Sequence, residues 1–110
     1  MKQVDIYKKA LEVLEEAGIV YNDFGIPYWE YNGEEFAGLC TLLRVVLLVD
    51  SYSLGQFTLD SKKVLGVKSL SRLKFWFTCI DDCEPKARQE RINHLKNLIK
   101  LYEDGTTRDI

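Results

Sequence analysis

At 110 residues and 12.8 kDa the chain has the length of one domain, long enough to enclose a hydrophobic core without disulfides or metals. Hydrophobic residues at 46% and charged residues at 29% exclude a disordered chain, which would be poor in aliphatics and carry a large net charge. The net charge of −2 is unevenly spread, because residues 1–60 carry 4 basic and 10 acidic side chains while residues 61–110 carry 11 basic and 7 acidic. Such a split marks either a polyanion-binding half or two halves that neutralise each other on folding. Three cysteines are an odd number, and the opening MKQVDIYKK has no apolar signal region behind its charges, so the expected setting is a reducing cytoplasm. The longest apolar run is Val45–Val49. Extending it back to Phe36 takes in Arg44, so a membrane-spanning role is excluded.

From Val4 to Ala17, Val4, Tyr7, Leu11 and Leu14 recur at helical spacing with Ala10 beside them, and Gly18 ends the helix. Ile19 to Asn32 holds five aromatics among the turn formers Asn22, Asp23, Gly25 and Pro27, the pattern of an irregular hairpin or an ordered loop. A second helix is expected from Gly33 or Glu34 through Asp50, where two glutamates suit the positive end of the dipole. Apolar residues on all its faces make it the central buried helix, and Arg44 then needs a partner or the one face that reaches water.

Ser51 to Gln56 reads as a loop, followed by a short helix over Lys62–Leu65, capped by Thr58, Asp60 or Ser61 and stopped by Gly66. Ser69–Ile80 fits a helical face through Leu70, Leu73, Phe77 and Ile80, and a strand through Leu73, Phe75, Phe77 and Cys79; the helix is preferred. The last helix starts near Pro85, repeats Ile92, Leu95, Ile99 and Tyr102 on one side, and closes at Gly105, leaving a loose tail over 104–110. The expected fold is one domain over 1–110, mainly α, a compact bundle of four to five helices with an aromatic hairpin or loop after the first. The alternative is α+β with a strand at 72–80.

Cys40, Cys79, Cys83 and His94 are the residue types of a Cys3His zinc set, but their spacing lacks two close pairs, and buried structural thiols are the expected reading. Neither a metal nor any other cofactor is expected. His94 is the only histidine, which removes schemes that need two, and no phosphate-binding glycine loop occurs. A Cys83–His94 pair would lie about three turns apart on one helix. No catalytic residue is nominated, and the chain is expected not to be an enzyme.

Two stretches are recognition candidates. Tyr28, Trp29 and Tyr31 are the side chains that anchor protein interfaces, and their ordinary alternative is to lid the apolar helix. The basic stretch SKKVLGVKSLSRLKFW loosely resembles a helix-turn-helix, with Arg72 at a position where that family carries an apolar residue. The resemblance implies that Lys68, Ser69, Ser71, Arg72 and Lys74 face a duplex while Lys62 and Lys63 reach phosphates. The expected function is therefore a small intracellular binding protein acting on a macromolecular partner, a protein first, as an inhibitor, adaptor or accessory factor of the size common in phages and mobile elements. Nucleic-acid binding through 62–100 is the alternative, and a homodimer through the aromatic stretch or the last helix is a further option.

Overall fold

The computed structural model describes residues 2–66 and 85–103. Helix α1 (Gln3–Glu16) turns Ile6, Tyr7, Ala10, Val13 and Leu14 inward, so the buried stripe is rotated slightly from the one the sequence suggests, and Val4 and Leu11 are half-buried. The chain leaves the helix in extended conformation at Ala17, whose N–H still bonds the Val13 carbonyl. It then forms a three-stranded antiparallel sheet in the order β1 (Gly18–Tyr21), β2 (Pro27–Tyr31), β3 (Glu34–Phe36).

The sheet corrects the mainly α expectation: this is an α+β fold. The aromatic segment is the hairpin β1–β2, paired Gly18↔Glu30 through Tyr21↔Pro27. The unforeseen element is β3, paired with β2 through Trp29↔Phe36, Glu30↔Glu35 and Tyr31↔Glu34, in a stretch expected to begin the second helix. Its cause is local. Asn32 and Gly33 take φ of 50° and 80°, as a two-residue hairpin turn requires, and Asn-Gly is the dipeptide that adopts this geometry at least cost. The glutamates that resemble a helix start are instead exposed residues of an edge strand, Glu35 on its outer face and Glu34 beside the turn.

The second helix is accordingly shorter. After extended Gly38 it runs as α2 (Leu39–Thr41) and continues as a π-helical segment (Leu42–Val46), burying Leu39, Leu42 and Leu43 and leaving Arg44 on the face that reaches water. Helix α3 (Ser51–Leu65) replaces the expected loop at 51–56. Asp50 caps it, its Oδ1 accepting from the Ser53 N–H at 2.8 Å, and Gly66 at φ 66° stops it where the sequence places the stop. Helix α4 (Pro85–Glu103) starts at the expected proline and buries Ile92, Leu95 and Leu98. The segment 67–84, with the helix-or-strand alternative at 69–80 and its strand at 72–80, lies outside the described residues, as does the tail 104–110.

Helices α1 and α4 pack along each other, α3 lies on α4, and the sheet closes one end of the core. Trp29 stacks on Phe36 with ring centroids 6.2 Å apart. Over the same indole, 5.2 Å from its centre, sits the guanidinium of Arg88, whose Nη2 donates to the carbonyls of Leu14 (3.1 Å) and Glu15 (2.7 Å). One side chain of α4 thus ties the last turn of α1 to the sheet, satisfying carbonyls that a helix end leaves open. Truncating a fully buried aliphatic such as Leu95 to alanine would cost about 2–5 kcal/mol.

Candidate functional site

The feature that packing does not explain is the tip of the β1–β2 hairpin. The turn at residues 22–26 is held by one side chain, since Asn22 Oδ1 accepts from the Phe24 N–H at 2.8 Å and the Ile26 N–H at 2.9 Å. Main-chain bonds from Asn22 N–H to the Ile26 carbonyl and from Gly25 N–H to the Asn22 carbonyl complete it, with Gly25 at φ 76°. On this braced turn Phe24 is 88% exposed, with Tyr21 and Ile26 exposed beside it. Behind the tip lies an open depression of about 430 Å³ lined by Ile26, Pro27, Tyr28, Glu35, Phe36 and Ala37.

The electrostatics of this end are one-sided. Between Ala10 and Leu43 there is no lysine, arginine or histidine, and the sheet and its turns carry Asp23, Glu30, Glu34 and Glu35. Glu30 and Glu35 are register partners, a like-charge pair directly across two strands. Desolvation first, then Glu35 and Glu30, raise the Tyr28 phenol above its ordinary pKa. Among the described residues none of the four carboxylates is in an ion pair.

The nominated aromatics divide by strand parity. Trp29 is 1% exposed and belongs to the core, Tyr31 is half-buried against it, and Tyr28 faces the other side of the sheet on the rim of the depression. Of the three, only Tyr28 lines the depression behind the hairpin tip. Tyr21, Phe24 and Ile26 were missed, although the signal was present: apolar residues alternating with Asn, Asp and Gly in a turn have nothing to pack on.

Of the basic candidates, Lys62 and Lys63 sit in the last turn of α3, half-buried and exposed respectively. Lys68, Arg72 and Lys74 lie outside the described residues, and so do Cys79 and Cys83. Cys40 is half-buried beside the core, and no group of three or more histidine, cysteine, aspartate or glutamate side chains is placed to hold a metal among the described residues.

Polar chemistry gathers instead inside the helical layer. Asp60 is fully buried and accepts from Tyr7 Oη (2.7 Å), Tyr102 Oη (2.6 Å) and Gln56 Nε2 (2.8 Å), while Gln3 Nε2 donates to Tyr7 Oη and to the Ser53 carbonyl. Burial first, then the bond to Asp60, drives the Tyr7 phenol far above its usual range. Next along α3, Ser61 Oγ lies 2.9 Å from His94 Nε2, and both residues are buried. Burial first and Arg91 second push the imidazole down to about 3, so it is neutral at neutral pH. A serine–imidazole contact is the elementary geometry of nucleophile activation; here Ser61 is fully buried, while His94 lines a shallow depression with Val64, Leu65, Glu90, Asn93 and Asn97. Residues 33 apart on two helices give no sequence signal of such a contact.

Compared with protein-family models, curated proteins and solved structures, the chain matches none.

Proposed function

We propose that this is a small non-enzymatic binding domain, working in a reducing cytoplasm as an inhibitor, adaptor or accessory factor, that docks a protein partner through the tip of its β1–β2 hairpin. One observation carries the reading: Phe24 is held almost wholly in water on a turn braced by Asn22. An apolar ring on a braced turn loses little conformational freedom on binding, and burying it contributes about 1.5–3 kcal/mol, roughly tenfold to a hundredfold in affinity. Asp23 in the turn and Glu35 on the rim of the depression favour a partner with an apolar pocket and a basic rim.

The test is affinity capture from a lysate of the source organism with the wild type, Phe24→Ser, and Lys96→Ser on the far helix as a surface control. Partners held by wild type and control but lost by Phe24→Ser support the reading. Partners retained by all three overturn it. The nucleic-acid reading rests on Lys62 and Lys63 together with Lys68, Arg72 and Lys74. Retention on DNA or RNA that falls steeply with salt and weakens in Arg72→Ala with Lys74→Ala would favour it instead.

A further inference from the structure

Helix α3 carries a second exposed apolar surface, independent of the hairpin. Tyr52 and Leu59 lie two turns apart on one face and are 61% and 54% exposed. Leu48, in the non-helical chain just before the helix, is a further exposed apolar side chain at 82%, with its backbone at φ 52°. Between Tyr52 and Leu59 stands Gly55. Glycine in a helix interior weakens it, and Gly55 has helical backbone angles, while an added Cβ would meet no atom of the described residues within 4 Å. Among the described residues, nothing requires the missing side chain. A second helix backbone approaching from outside would.

We propose that α3 is a self-association surface on which a second copy of this chain packs, antiparallel, about a two-fold axis near Gly55 and Gln56. The charges on the helix choose both the occupant and the direction. Asp50 stands at its N-terminus, with its carboxyl held below the usual range by the Ser53 N–H, and Lys62 and Lys63 stand in its last turn. Antiparallel packing sets Asp50 of each copy toward Lys62 and Lys63 of the other, whereas parallel packing would oppose like charges. The same axis sets Tyr52 against Leu59 of the second copy and Leu48 against the aliphatic stem of its Lys63. Gly55 lets the two backbones approach at the short end of the usual 8–10 Å interaxial range. The contact is self-complementary, as a two-fold interface must be.

Sedimentation velocity of the full chain over a wide concentration range tests this. The wild type is expected to shift from monomer to dimer as concentration rises. Leu59→Glu should raise the dissociation constant at least tenfold with an unchanged circular dichroism spectrum, and Lys62→Glu with Lys63→Glu should weaken the dimer and restore it in part at high salt. Gly55→Ala supplies the sharpest signature, a monomer melting about 2–6 °C higher together with weaker association. A wild type that stays monomeric at every concentration overturns the proposal. So does a dimer indifferent to Leu59→Glu, or one dissolved by Phe24→Ser instead. Because Leu59→Glu leaves the hairpin untouched, its capture of a hairpin partner stays normal, and the two readings fail separately.

Discussion

The helical layer and the sheet treat polarity in opposite ways. In the helices, a buried carboxylate bonds a buried and a half-buried phenol, and a buried serine meets a buried imidazole, while at the sheet tip an aromatic ring and its apolar neighbours are held out in water. Buried polar groups are costly unless paired, so the helical cluster fixes how α1, α3 and α4 meet. Exposed apolar groups contribute nothing to folding, so the hairpin tip is available for recognition. The polar contacts thus lie within the packed helical layer, whereas the exposed hairpin tip is largely apolar.

Substitutions that separate the two regions sharpen the contrast. Asp60→Ala should have the largest effect, since it leaves the buried Tyr7 phenol, the half-buried Tyr102 phenol and Gln56 without their acceptor. A loss of about 3–5 kcal/mol in urea denaturation is expected, and a loss below about 1 kcal/mol would remove the cluster from the core's supporting interactions.

Acid comes next. His94 protonates near 3 when folded and near 6.5 when unfolded, so its contribution is complete above about pH 6.5 and is lost as pH falls toward 3, at about 1.4 kcal/mol per unit. His94→Gln should flatten that part of the stability–pH profile while keeping a partner for Ser61. Equal slopes in the two proteins would show that the imidazole is not buried neutral.

Arg88→Ala removes the tie between sheet and helices and should cost about 1–3 kcal/mol, with loss of the tryptophan fluorescence signature of the native state ahead of the far-ultraviolet signal. Relieving the cross-strand repulsion is the mild counterpart: Glu35→Lys should stabilise by about 0.2–1 kcal/mol in thermal melts, and a destabilised variant would show that the pair is already compensated.

The legible parts of the fold were those set by local periodicity or by a single punctuating residue. The extent of α1, though with its buried stripe slightly rotated, the stop at Gly66 and the start of α4 at Pro85 all stand where the pattern puts them. The errors came from residues with two local meanings. Glu34 and Glu35 suit a helix start as well as an edge strand, and the Asn32-Gly33 turn that decides between them was passed over. Asp50 was spent on the end of the preceding helix, so the cap of α3 went unread and Gly55 looked like a loop residue. Trp29 is a core residue where a partner anchor is expected, because strand parity shows which residues share a face without showing which face meets the core. The Asp60 and Ser61–His94 contacts join helices distant in sequence, where local pattern carries no information.

The most direct measurement is photo-cross-linking in living cells, with a photoreactive phenylalanine analogue replacing Phe24 in one variant and Lys96 in another. A discrete protein adduct from position 24, absent from position 96, is the expected result. Position 24 yielding no adduct, or the same diffuse adducts as position 96, would contradict recognition through the hairpin tip.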